Sequence, residues 1–262
     1  MTFWTPQHTA TLLPAVLIGF LVAVLLRLLI GRARLWVRMI PMQLLSLLLL
    51  AMEMQKQISS IRAGYDYYYL PFHFCSLLLL IFPLASFYFG RGSETLRSLA
   101  LTAAATVSLI TLIAPEQIFS YEHVQNFETE FFACHTVIFH CVVPIFFMMM
   151  LMLDVTHPRV GRDLAITVIV VALYSVLAAY MAKRFETNFS NFYYCKIEKY
   201  ENIRLEWVAE MGEEKARRLY MLVVGGVHIV GNVIGYLVGS LLSYVTRCLP
   251  FGETARFENQ NS

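Results

Sequence analysis

The sequence predicts an all-α, polytopic membrane protein: a bundle of about seven transmembrane helices with the N-terminus outside and the C-terminus inside. Three observations lead there. The chain is 58% hydrophobic and only 15% charged, with a mean hydropathy of +0.61, whereas an average soluble domain is roughly a quarter charged. Apolar runs close to the ~20 residues that cross a bilayer recur along the chain. Basic residues crowd alternate connections between those runs. We expect a single transmembrane domain over 1–262, with 184–218 as an extramembrane or interfacial helical connection.

The runs fall at 10–30, 36–55, 71–90, 96–114, 130–153, 164–183 and 219–246. The first is preceded by nine residues without Lys or Arg, so it reads as a retained span and not as a signal peptide, which needs a basic start. The third opens with Pro71, a residue suited to the first turn of a helix, where its missing N–H has no intrahelical role. Pro14, Pro41, Pro83 and Pro144 lie inside runs, which membrane helices tolerate when neighbours satisfy the freed carbonyls. Arg27, Arg32, Arg34 and Arg38 surround the first connection, Arg91 and Arg97 the third, Arg159 and Arg162 the fifth. The fourth connection, from Glu116 to Glu130, has no Lys or Arg. This alternation favours an N-out, C-in orientation, with the sixth connection as the exception.

The sixth connection, from Lys183 to Arg218, is rich in both signs. Leu205, Val208, Ala209, Ala216 and Leu219 fall on one helical stripe, and Glu213–Arg217 and Glu214–Arg218 are i,i+4 pairs. With Trp207 beside the stripe, the segment reads as an interfacial helix or as a cap packed on the bundle. Tyr65, Tyr67, Tyr68 and Tyr69 read as a belt at the headgroup level. Asn188-Phe189-Ser190 fits a glycosylation pattern. A net charge of +2 implies no nucleic-acid partner, and five cysteines without a Cys-x-x-Cys pair imply no disulfide framework.

Helical rise then locates the reactive side chains. With alternating spans, Glu53, His73, Cys75, His135 and His228 all fall in one leaflet, carried by four different helices. Ionisable groups there are costly to bury and mark a functional-site hypothesis. Cys75 is the candidate nucleophile, because a neighbouring imidazole can supply the thiolate. On a continuous helix His73 lies roughly 200° round from Cys75, so His135, from another helix, is the candidate base. A cysteine in an apolar run is more commonly a small hydrophobe, and only the convergence at one depth raises it above that reading. Gly231, Gly235 and Gly239 share a ridge with His228 and Asn232, so that ridge should face the bundle. Glu53, His228 and Asn232 are therefore candidate pocket residues. His135 and His140 are roughly 140° apart on a helix, which does not grip one ion, and neither a metal nor a cofactor is expected.

The run Leu70-Pro71-Phe72-His73-Phe74-Cys75 resembles the Leu-Pro-x-His-x-Cys signature of the YwaF-like integral membrane family, related to transmembrane protein 164, a membrane acyltransferase. Ala114-Pro115-Glu116 is similar to the family's Thr-Pro-Asp, Phe131-Phe132-Ala133-Cys134-His135 to its Phe-Phe-x-x-His, and Asn191-Phe192-Tyr193 to its Asn-Tyr motif. The resemblance runs from about Trp36 to Ser243; Ala114 replaces a threonine and Thr136 a glycine. It implies a transacylase that moves a fatty acyl chain between membrane phospholipids, in a bacterial plasma membrane. It further implies Cys75 as the acyl-accepting thiol, His135 as the base, His73 as a group orienting a carbonyl or headgroup, and Asn191 as a substrate contact. A lipid-ester hydrolase using the same Cys/His pair is one rival. A transporter or small-solute binder lined by Glu53, His73, His135 and His228 is another.

Overall fold

A computed structural model describes residues 4–248. Nine α-helices follow in order among the described residues: α1 Pro6–Ile30, α2 Leu35–Arg62, α3 Leu78–Phe87, α4 Ser93–Ile113, α5 Tyr121–Gln125, α6 Phe131–Met152, α7 Arg162–Phe185, α8 Glu198–Met211 and α9 Glu213–Cys248. Six of them, α1, α2, α4, α6, α7 and α9, are long and apolar enough to cross a membrane. With the shorter α3 they give the polytopic helical bundle that the sequence predicts.

The third expected span differs in form. Its helix does not start at Pro71 but at Phe74, as a 3₁₀ turn over Phe74–Leu77 that continues into α3. Leu70 and His73 are extended, at ψ 143° and 145°. Proline drives the residue before it out of the α region, so Leu70 cannot be helical and Pro71 ends a strap instead of starting a helix. The helical part, Phe74–Phe87, is about 21 Å long at 1.5 Å per residue, short of the ~30 Å hydrocarbon layer.

The seventh span departs in the other direction. α9 has 36 residues, about 54 Å, so its first turns extend past the bilayer core. Gly212, at φ +83°, separates it from α8. The stripe expected across 205–219 is therefore split: Ala216 is fully buried on α9, while Leu205 on α8 is 49% exposed. The two ion pairs expected there form, with Arg217 2.8 Å from Glu213 and Arg218 2.5 Å from Glu214. α8 is anchored at its start by Glu201, which accepts from the Cys195 N–H and from Arg204. Burial opposes ionisation of Glu201, but Arg204 and the Cys195 N–H outweigh it and hold the carboxyl below its usual range.

α4 and α6 form the centre, each with 72% of its apolar window buried, against 17–28% for the other membrane-length helices. α4 earns that place through small side chains, including Ala100, Ala103, Ala104 and Ala105, which let neighbours approach closely. Phe82 of α3 stacks on Phe146 of α6 at 3.8 Å between centroids. Gly235 of α9 crosses α4 so closely that an added Cβ would fall on Thr106 Oγ1 and within 3.0 Å of the Thr102 carbonyl. Gly235→Ala should therefore cost about 1–3 kcal/mol. Gly226→Ala, with open space around it, should stay within about 0.5 kcal/mol. Thermal unfolding of the detergent-solubilised variants checks both.

Candidate active site

The start of α1, the ends of α2, α4 and α7, and the starts of α6 and α9 meet at one end of the bundle. The site lies there. The last turns of α2 present Glu53, Lys56 and Gln57, spaced i, i+3 and i+4 so that all three share one helical face. Glu53 and His135 are 9% and 6% exposed. Glu53 Oε2 lies 2.7 Å from Lys56 Nζ and 3.4 Å from Nε2 of His135, which comes from the second turn of α6. Glu53 Oε1 accepts from Gln57 Nε2 at 2.7 Å. Gln57 also donates to the Tyr69 carbonyl at 2.7 Å, and its Oε1 accepts from the Tyr65 hydroxyl at 2.9 Å. One carboxylate thus ties α2 to α6, and one amide ties both to the strap that leads to Cys75.

The strap, 65–73, turns out of α2 through Gly64 and Tyr65, both at positive φ. His73 Nε2 and the Tyr68 carbonyl are 3.0 Å apart, and the His73 and Tyr68 rings meet edge to face at 4.6 Å. The Tyr174 hydroxyl of α7 donates to the His73 carbonyl at 2.6 Å, and Ser190 Oγ donates to the Phe72 carbonyl at 3.1 Å. These bonds fix where the helix begins. Cys75 is its second residue and is half-buried. A helix start has N–H groups without intrahelical partners and favours negative charge. Both effects assist a thiolate at that position. Beside it a groove of about 420 Å³ opens between α2, α3 and α7, lined by Glu53, Phe72, Ser76, Leu79, Leu80 and Tyr174 among others.

The structure brings together Glu53 and His135 and sets Cys75 beside Ser76, which shares a groove wall with Glu53. No hydrogen bond joins Cys75 to His135 among the described residues; the imidazole is turned to Glu53 instead. His73 serves the strap. His228 packs against Phe74 at 5.5 Å and Phe192 at 5.2 Å between centroids, behind the Cys75 segment. Asn232 lies away from the groove: it is 1% exposed, donates to the His228 carbonyl and accepts from Thr106 Oγ1 at 3.4 Å, so its ridge faces α4. Asn191 is exposed, at φ +64°, and its carbonyl accepts from Tyr220 in a turn.

All four belt tyrosines have specific partners: Tyr65 on Gln57, Tyr67 against Phe185 at 4.9 Å, Tyr68 on His73, and Tyr69 stacked on Phe132 at 4.4 Å. Asn188 is 5% exposed, its Oδ1 accepts from the N–H groups of Tyr193 and Tyr194, and its Nδ2, the atom a glycan would be joined to, is buried. His140 is turned to the Thr136 carbonyl, away from any shared ion with His135. Among the described residues no group of three potential ligands could hold a metal. Sequence reasoning missed Lys56, Gln57 and Tyr174. The i, i+3, i+4 spacing from Glu53 was a signal for the first two; a single tyrosine inside the apolar run of α7 gave none.

A helical membrane bundle with a buried carboxylate–imidazole pair, a cysteine at a helix start and an apolar groove is the class of protein these features define. Within that class the chain belongs to the TMEM164 family, whose model matches residues 3–205. The match takes in α1 to α7 and about half of α8, and excludes α9, so Glu53, His73, Cys75 and His135 lie inside it while His228 and Asn232 lie outside. No curated protein and no solved structure matches the chain.

Proposed function

We propose that the protein is an integral membrane acyltransferase acting on phospholipid or lysophospholipid through a thioester on Cys75. The reading rests on one observation above others: Cys75 stands at a helix start, one residue from an apolar groove that Glu53 of the buried Glu53–His135–Lys56 cluster also lines. The groove suits an acyl chain, and the polar cluster sits where an ester would lie at the chain's head. The N-out orientation read from the first five connections supports a site in the outer leaflet.

In this mechanism His135 takes the Cys75 proton, and the thiolate attacks the ester carbonyl. The C–S bond forms and the C–O bond breaks, and His135 returns the proton to the departing lipid alkoxide. A lysolipid hydroxyl then reverses the sequence and carries the acyl group away. Catalytic hydrogen bonds commonly close only when substrate is present, which fits an imidazole that faces Glu53 before reaction. The purified protein, incubated with phospholipid vesicles and quenched in acid, should carry one acyl mass on the peptide containing Cys75. Unmodified Cys75 under conditions of lipid turnover would overturn the mechanism. Added lysophospholipid should speed formation of diacyl product; free fatty acid as the sole product would make the protein a hydrolase with the same residues.

A further inference from the structure

Glu53 Oε2 is shared. Lys56 holds it at 2.7 Å and His135 Nε2 at 3.4 Å, while the other carboxylate oxygen is taken by Gln57. His135 is 6% exposed, its buried Nε2 makes no hydrogen bond in this state although Glu53 Oε2 lies 3.4 Å away, and its ring is flanked by Phe131 and Phe139. His135 and Lys56 therefore compete for one oxygen, and the lysine has the shorter contact.

We propose that Glu53 is the positioning residue for His135, and that Lys56 sets how firmly Glu53 holds it. This rests on the acyl-transfer reading above. A carboxylate on Nε2 keeps the proton on that nitrogen and presents Nδ1 as the basic one. The thiol proton of Cys75 then moves to Nδ1, the Nε2–H closes onto Glu53 as the imidazole becomes charged, and the carboxylate remains ionised throughout. Lys56 draws charge from the same oxygen and weakens its hold on the imidazole. Gln57 couples this balance to the strap, because the amide that fixes Glu53 Oε1 also bonds to Tyr69 and Tyr65. The charged and titratable groups facing the imidazole are Glu53 from α2, with Lys56 on the same carboxylate oxygen, and His140 on its own helix.

The test reads Cys75 without relying on lipid turnover. The full-length protein in detergent is treated with iodoacetamide at neutral pH, and alkylation of the Cys75 peptide is followed by mass spectrometry, alongside thermal unfolding. Glu53→Gln should slow alkylation about tenfold, the loss of one charge-assisted hydrogen bond. Glu53→Asp should recover part of it. Lys56→Met should speed alkylation, by about threefold, half that effect on a logarithmic scale. Slower alkylation in Glu53→Gln with faster alkylation in Lys56→Met supports the proposal, since a merely structural cluster would lose reactivity in both, and a direct charge effect on the thiol, with Lys56 favouring the thiolate and Glu53 opposing it, would give the reverse signs and overturn it. Equal slowing in both, or no change in either with the fold intact, overturns it. The supporting pattern together with no acyl on Cys75 would support this inference while the acyl-transfer reading fails.

Discussion

Cys75→Ala is expected to abolish lipid acyl transfer, and His135→Ala to lower its rate by about 10²–10⁴-fold, with the bundle still folded in both variants. The thiol has no substitute: no other cysteine stands at a helix start beside the groove, and alanine cannot form a thioester. The imidazole's loss is smaller in principle, because a thiol retains some thiolate near neutral pH and the helix start still favours it. The fold should survive because Glu53 keeps Lys56 and Gln57 when His135 is removed, so no carboxylate is left buried without a partner. A loss of about 1–3 kcal/mol from the vacated imidazole volume is expected. Initial rates in phospholipid vesicles, normalised to folded protein by thermal unfolding, separate chemistry from stability. Full turnover by Cys75→Ala would end the thioester mechanism, and unchanged turnover by His135→Ala would leave the thiol without its proposed base.

Depth was legible in the sequence; direction was not. Helical rise places Glu53, Cys75 and His135 at one level because rise per residue is nearly constant along a helix. Which way a side chain points depends on how each helix is rotated against its neighbours, and no local pattern encodes that. Hence His135 faces Glu53, which the sequence left as a pocket residue, and Asn232 faces α4 although its glycine ridge was read correctly as inward. The strap was missed for a related reason. Pro71 fits either the first turn of a helix or the end of an extended segment, and the tertiary bonds from Tyr174 and Ser190 to the His73 and Phe72 carbonyls decide between them. The tyrosines were assigned from composition alone, and composition does not distinguish a ring in the headgroups from one stacked on Phe132.

The opposite end of the bundle carries a prediction of comparable size on stability. Arg27 and Arg38 are 8% and 5% exposed. Arg38 Nη1 donates to the Leu153 and Asp154 carbonyls at 2.9 and 2.8 Å, and Arg27 Nη1 to the Met152 carbonyl at 2.5 Å. These carbonyls end α6 and carry its negative dipole end, but partial charges do not neutralise buried guanidinium groups. Asp154 supplies a formal negative charge: it is 6% exposed, interacts with Arg27, and places Oδ1 3.6 Å from His157 Nδ1 and 3.8 Å from Arg247 Nε. Asp154 sits at φ +48°, a conformation that asparagine also accepts, so Asp154→Asn removes the charge and leaves the backbone alone. It should cost about 3–5 kcal/mol, the usual loss when a buried charge is stripped of its partner. Adding Arg27→Met to Asp154→Asn should recover part of that loss, because the stranded charge goes with it, and a double-mutant cycle on thermal or denaturant unfolding measures the coupling. A loss below about 1 kcal/mol for Asp154→Asn, or no recovery in the double variant, would mean that partners other than Asp154 hold the arginines. Because this end is remote from Cys75, the folded fraction of Asp154→Asn should acylate at the normal rate, so the arginine end sets how much of the protein is folded and the Cys75 end sets what the folded protein does.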